Sequence, residues 1–340
     1  MIGAPLPRGI LTGLARVPRW LLDFGETRNL DRRQLAQAAG LDEGGLDDAD
    51  ARVPVAVIWE LWRSIIEGVP DPDLGLRIGE MVDVTQLGVV GYSLKYSGTL
   101  RRALERLARY SRIVSQTVRM TVDERPGKVE LTFERDAPFD VLRHPIDARL
   151  SSLITISRSL TQGQLNPVEV RFPYPRPAKT VEYERVFRSP LRFGAPAARL
   201  TLRPADVDRP VVTGDEVLNR YLDQHAETVL GELARTDSLT KEVLRTLWRQ
   251  LSGGRLDLSS TARHLGLSAR TLQRRLNDES TSFGVLLDSF RREASVRLLR
   301  DRGLAVEEVA FMLGYSEPST FYRAFRRWTG QTPRRFRLSA

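Results

Sequence analysis

Cysteine is absent from all 340 residues. That excludes disulfide scaffolds, thiolate metal sites, cysteine nucleophiles and thiol redox sensing, and it fits a reducing cytoplasm. Lysine is almost missing, occurring only at Lys95, Lys128, Lys179 and Lys241, so arginine carries the positive charge. The three histidines, His144, His225 and His264, are dispersed. None has a second histidine or a carboxylate at metal-ligand spacing, so no metal is expected. No apolar run approaches the roughly 20 residues of a membrane span. In the first 22 residues Arg8, Arg16 and Arg19 interrupt any signal-peptide core, and the stretch reads instead as a first amphipathic helix. Gly91-Tyr-Ser93-Leu-Lys95 has lysine where a nucleophile elbow needs its second glycine. Neither Gly88 to Gly91 nor Gly253-Gly254 runs into a phosphate loop, and both read as plain turns. The expectation is a protein with no catalytic residue and no cofactor.

What is present is a lopsided charge. The net is +9, and residues 236–340 hold 19 Lys/Arg against 11 Asp/Glu, so nearly all of the excess sits in the last third. A small basic domain beside a near-neutral larger one suggests a polyanion binder with a separate sensor. The length suggests about two domains.

Residues 1–210 mix both hydrophobic periods and read as α+β. Residues 55–66 and 99–114 are amphipathic helices, the second with Leu100, Leu104, Leu107, Tyr110 and Val114 on one stripe. Thr117–Val122 and Val129–Phe133 alternate around Arg125-Pro126-Gly127, which predicts a hairpin. Ile146–Leu160 predicts a helix, and Val168–Phe172, Arg192–Gly194 and Leu200–Leu202 predict short strands. Residues 211–236 form a linker helix, with Leu218, Tyr221, Leu222, His225, Val229 and Leu233 on one face as a candidate dimer seam. Residues 237–338 are all helical. Leu239–Leu251 ends at Gly253-Gly254, and the long helix Phe283–Arg302 ends at Gly303.

Inside the basic region one pattern occurs twice. A small residue (Ala262, Ala310) is followed four residues later by glycine (Gly266, Gly314), then an apolar residue (Leu267, Tyr315) and serine (Ser268, Ser316). Each copy has the physics of a helix-turn-helix. The small residue allows a close crossing, the glycine takes the left-handed conformation, and the serine caps the next helix. The second copy carries one extra residue after its turn, and Pro318 falls in the first turn of its second helix. Two such units joined by one long helix can address successive major grooves, about 34 Å apart on one face of a duplex.

The second helices sort by face. On the first, Ala269, Leu272 and Leu276 point inward while Arg270, Gln273 and Arg274 share the opposite side. On the second, Phe321, Phe325 and Trp328 point inward while Ser319, Tyr322 and Arg323 project outward. Arginine can grip guanine and glutamine adenine, so these six are the base-contacting candidates. Thr271, Thr320, Arg326 and Arg327 are better placed for phosphates. In the N-terminal region the aromatic residues Trp59, Trp62, Tyr92, Tyr96 and Tyr110 are candidate cavity residues.

The segments Ala294–Leu299, Val306–Ala310, Leu313-Gly-Tyr315, Phe321–Phe325 and Gly330–Arg337 resemble the AraC/XylS family of bacterial transcription regulators. Residues 168–173, 183–187, 191–194 and 205–210 resemble that family's larger, helical α+β type of ligand-binding domain rather than the compact cupin type. The resemblance implies a seven-helix DNA-binding domain and base contacts from the outward residues. It does not imply arabinose as ligand. It implies double-stranded DNA, a small organic effector, RNA polymerase and a second copy of the chain as partners, and a cytoplasmic location with no membrane. The alternative is an architectural or repair-associated DNA-binding protein without ligand sensing. The related alkyl-transfer repair chemistry needs the cysteine this chain lacks.

Overall fold

The computed structural model describes residues 11–46, 48, 50–135, 143–163, 165–251, 255–279, 281–300, 304–329 and 331–339. The turn at Gly253-Gly254, the stop at Gly303 and the first ten residues lie outside these. The chain divides into two compact units, one within residues 10–232 and one within 233–340.

The first unit opens with strand β1 (Thr12–Leu14), helices α1 (Arg16–Thr27) and α2 (Arg32–Ala39), strand β2 (Arg52–Pro54) and helix α3 (Val55–Gly68). The first helix therefore starts later than the sequence suggests, because Thr12–Leu14 pairs antiparallel with β2. Three-residue strands are too short to show a two-residue period. The pairing is secured by Arg52 Nε donating across it to Thr12 Oγ1 (2.7 Å) and, from outside it, by Gln116 Oε1, which accepts from Thr12 N–H (2.7 Å).

Helices α4 (Leu74–Glu80), α5 (Val89–Lys95) and α6 (Leu100–Val114) follow. Thr99 caps α6 by accepting from Arg102 N–H. The predicted hairpin is present as β3 (Val118–Arg125) and β4 (Lys128–Arg135), turning on Gly127 at φ +73°. Next come α7 (Arg143–Thr161), β5 (Glu169–Phe172), α8 (Val181–Phe187), β6 (Leu191–Phe193), β7 (Ala198–Leu202) and α9 (Pro204–Val207). The sheet order is β3-β4-β7-β5-β6, antiparallel except for the β5–β6 pair. Met120, Leu131, Phe133, Val170, Leu200 and Leu202 are buried on it. Helices α4 and α7 cross closely. A Cβ at Gly79 would lie 2.3 Å from the Ala148 carbonyl oxygen, so only glycine permits the approach.

Helix α10 (Glu216–Gln250) is one continuous element, where the sequence suggests a linker helix from Val211 and a separate helix from Leu239. Asp215 starts it by accepting from the N–H groups of Val217 and Leu218 (2.9 and 3.0 Å). Nothing between the two stretches breaks it, because Thr236-Asp237-Ser238 contains no glycine or proline. Its buried positions in the first unit include Asn219 and Ala226. Leu218 and Tyr221 are 38% and 67% exposed. The proposed seam residues at the start of this helix thus face away from the unit's own core.

The second unit holds the C-terminal part of α10 with α11 (Leu258–His264), α12 (Ala269–Asp278), α13 (Phe283–Arg300), α14 (Val306–Met312), α15 (Pro318–Thr329) and α16 (Pro333–Ser339). Its core gathers Val243, Leu247, Leu272, Leu276, Phe290 and Phe321, among others.

Candidate nucleic-acid interface and ligand cavity

Each helix-turn-helix is built from local rules. Ala262 and Ala310 are buried at the crossings of α11 with α12 and α14 with α15. Gly266 and Gly314 sit at φ +67° and +75°. Leu267 N–H bonds back to the Ala262 carbonyl (2.9 Å) and Tyr315 N–H to the Ala310 carbonyl (3.1 Å), the six-residue closure of a helix ended by left-handed glycine. Asp257 caps α11 through Ser260 N–H (2.7 Å), and Ser268 caps α12 through Thr271 N–H (3.1 Å). Ser316 does not cap α15. The extra residue in this copy places Glu317 directly before Pro318, leaving Ser316 one step too early.

A residue on the long helix α13 holds the second turn, which sequence patterning does not reveal. Arg291 donates from Nε to the Leu313 carbonyl (2.8 Å) and from a terminal nitrogen to the Gly314 carbonyl (3.0 Å), with its guanidinium 4.4 Å from the Tyr315 ring centre. At the first copy, Gln250 at the end of α10 accepts from Thr261 Oγ1 (3.1 Å) and donates to Ser260 Oγ (2.9 Å).

On α12, Arg270 and Arg274 are exposed and make no ion pair among the described residues. Gln273 is half-buried and donates to Asn277 Oδ1 (2.9 Å). Thr271 bonds its hydroxyl to that of Ser268 (2.8 Å). On α15, Ser319, Thr320, Arg323, Arg326 and Arg327 are exposed. Ser319 Oγ reaches Glu317 (3.3 Å), Arg323 reaches Thr320 Oγ1 (3.5 Å), and Arg327 pairs with Asp288 (2.7 Å), which also accepts from Trp328 Nε1 (3.0 Å). Arg326 has no such partner among the described residues. Tyr322 departs from the outward position its spacing suggests. Its ring packs on the core, and its hydroxyl is buried without a hydrogen-bond partner among the described residues.

The first unit contains a cavity of about 200 Å³ between α1, α3, α6, the β3–β4 hairpin and α7. Trp59 and Trp62 line it. Tyr92, Tyr96 and Tyr110 are not among its lining residues. Tyr110 is buried elsewhere, donating to Glu227 (2.9 Å). The lining also includes Arg16, Trp20 and Arg149, which sequence reasoning missed. The one local signal for them is Arg16 and Trp20 at i, i+4 on α1.

Helix α6 has two contrasting faces. Leu107, Ser111 and Val114 line the cavity. On the other side Arg102, Arg106 and Arg109 pair with Glu216, Asp223 and Glu227 of α10. Ser93, of the glycine-flanked Gly91-Tyr-Ser motif, is fully buried on α5 and donates to Asp223 (3.0 Å), far from the strand-to-helix elbow of a hydrolase. His144, His225 and His264 stay apart, contacting Gly75 N–H, Asp50 and Gln250 respectively.

Comparison with known proteins matches residues 30–211 to the arabinose-binding N-terminal domain of AraC transcription regulators, and residues 261–339 to a helix-turn-helix domain. The chain belongs to the AraC family. It is a transcription regulator with an arabinose-binding-type N-terminal domain and a C-terminal helix-turn-helix DNA-binding domain. Among AraC-family relatives it is 28% identical over 318 residues to the ornithine utilization regulator of Pseudomonas aeruginosa, covering 93% of this chain and 94% of that one. It is 26% identical to the regulator VirS of Mycobacterium tuberculosis, over 78% of each chain. The crystal structure of the Pseudomonas aeruginosa regulator CdpR is 24% identical with a TM-score of 0.49, covering 94% of this chain and 97% of that one. Arg16 and Trp20 precede the AraC-family N-terminal match, so part of the cavity wall lies outside it. No helix among the described residues is long and apolar enough to cross a membrane.

Proposed function

We propose that this AraC-family protein reads a specific DNA site through both helix-turn-helix units and adjusts that binding, or polymerase recruitment, to a small metabolite held in the first unit. The observation that carries this reading is the pair of helices α12 and α15, presenting Arg270 and Arg274 and Arg323 and Arg326 as exposed arginines that make no ion pair among the described residues. Arg270, Gln273, Arg274, Ser319 and Arg323 make the base contacts, and Thr271, Thr320, Arg326 and Arg327 hold phosphates. Tyr322, with its hydroxyl turned in, supports the helix rather than reading a base. The protein acts in the cytoplasm on double-stranded DNA. The two-faced α6 supports a coupling route, since it touches both the cavity and α10, which continues in sequence into the DNA-binding unit. An effector acts this way only if it binds two arrangements with different affinity.

A binding-site selection at several salt concentrations tests the reading helices. Log affinity falls linearly with log salt, by about 0.9 per neutralised phosphate. Arg274→Ala costs about 1–3 kcal/mol on the preferred site and flattens preference at one base position. Arg326→Ala weakens all sequences alike and makes the salt slope shallower by about one phosphate. The reverse pattern would show that the faces are misassigned.

The protein also pairs with a second copy through the first turns of α10. Val217, Leu218 and Tyr221 are exposed apolar side chains on that helix, and repeated half-sites reward a doubled reader. Light scattering of the full chain checks this. Leu218→Asp with Tyr221→Asp lowers the mass from dimer to monomer while the far-ultraviolet spectrum is unchanged. A dimer that survives the double substitution removes this surface from the interface.

A further inference from the structure

The cavity in the first unit carries more information than its existence. Its wall is largely apolar, with Trp20, Trp59, Trp62, Met120 and Phe133 among the large side chains. No aspartate or glutamate is among the described residues that line it, whereas two arginines are, Arg16 and Arg149. The guanidinium of Arg149 lies 5.6 Å from the Phe133 ring centre.

Two donors in this wall are left over. Arg16 Nε and Trp20 Nε1 are both buried, and neither has a hydrogen-bond partner among the described residues. They sit one helical turn apart on α1. A buried donor without an acceptor costs about 1–3 kcal/mol, and more when it belongs to a charged group. Most hydroxyls of the wall are already engaged. Ser111 Oγ donates to the Ala108 carbonyl (3.0 Å), Ser152 Oγ to the Arg149 carbonyl (3.0 Å), and Ser115 and Thr117 bond each other (3.0 Å). The wall therefore asks for acceptors at one end and offers hydrocarbon elsewhere.

The geometry points to a monocarboxylic acid with a compact apolar body as the ligand of this cavity, its carboxylate on Arg16 and Trp20 and its body among the tryptophans. A carboxylate brings acceptors and a negative charge to the arginine. An apolar cavity of about 150 Å³ accommodates a benzene ring, so this space suits roughly eight to ten non-hydrogen atoms. A sugar fits poorly despite the domain's type, because its several hydroxyls would enter a wall with few uncommitted polar partners. A dicationic amino acid finds no carboxylate to meet its charges. This inference rests on the reading of the first unit as a metabolite sensor.

The test is calorimetric titration of the full chain with benzoate, hexanoate, their carboxamides, L-arabinose and lysine, followed by DNA-affinity measurements with and without each binder. A carboxylate binds, and its amide binds about tenfold or more weakly, in keeping with the loss of a charged hydrogen bond. Arg16→Gln weakens the carboxylate about tenfold or more while leaving the amide nearly unchanged. Trp20→Phe, which keeps the ring and removes the N–H, produces a smaller loss and guards against misfolding of the first variant. If a carboxylate binds equally well to both variants, the site is wrong. If only the sugar or the diamino acid binds and alters DNA affinity, the ligand class is wrong while the sensor reading stands. If the carboxylate binds through Arg16 but leaves DNA affinity and transcription unchanged, the site stands and the sensor reading fails.

Discussion

Asp147→Asn makes the first unit more stable than the parent by an amount that grows from about pH 4 to about pH 7 and then stays level. Asp147 is fully buried on α7. It accepts from the hydroxyls of Tyr174 and Tyr183, the latter at 2.8 Å. Burial pushes its carboxyl from 3.8 up to about 7, against the pull of those two donors and of Arg143. Between those values the folded protein keeps a proton that the unfolded chain has lost, so folding binds protons and stability falls as pH rises. The contribution is fully present below 3.8 and is lost as pH passes 7. The displacement corresponds to about 4 kcal/mol at its limit.

His144, close by, works in the opposite direction. Burial, with the Arg143 charge adding to it, pulls its imidazole from 6.5 down to about 4. It therefore lowers stability as pH falls through that range, partly masking Asp147 in the parent protein. Asp73, raised by burial, adds in the same sense as Asp147. Subtracting the parent curve from the Asn variant removes what the two share and leaves the Asp147 contribution. Urea unfolding at half-unit pH steps makes the measurement. A difference that does not change between pH 4 and 8 would show that Asp147 is charged in the folded protein across that range.

Phe321→Ala weakens DNA binding by destabilising the second unit, in contrast to Arg274→Ala, which leaves folding intact. Phe321 is fully buried and its ring centre lies 5.7 Å from those of Tyr315 and Phe325. It joins the turn of the second helix-turn-helix to the core. Deleting such a ring costs about 3–5 kcal/mol. A domain of this size holds roughly 5–15 kcal/mol in total. The melting transition of the second unit falls by on the order of 20 °C. Circular dichroism and DNA titration on both variants separate the cases. A Phe321→Ala protein that melts as the parent does would mean the ring is not part of the core.

The DNA-binding unit was legible in the sequence because its signals are local. A left-handed glycine, a small residue at a crossing and an inward stripe each act within a few residues, and they recur near 48 residues apart at Ala262 and Ala310. Even there, one inserted residue displaced the cap from Ser316 and the core drew Tyr322 inward, since packing against distant elements outweighs spacing along one helix. The hairpin around Gly127 was legible for the same reason. The cavity was not. Arg16 and Trp20 on α1 meet Trp59 and Trp62 on α3 and Phe133 on β4 only after the chain folds, and no local pattern relates them. The same holds for Asp147, whose burial depends on tyrosines 27 and 36 residues away. On α10 the sequence marked an apolar stripe but could not say which side the unit would cover. Tertiary structure decided that, turning Asn219 toward Ser93 and Ala226 into the core, because Arg102, Arg106 and Arg109 of α6 draw the acidic residues of α10 toward them and leave Leu218 and Tyr221 in solvent.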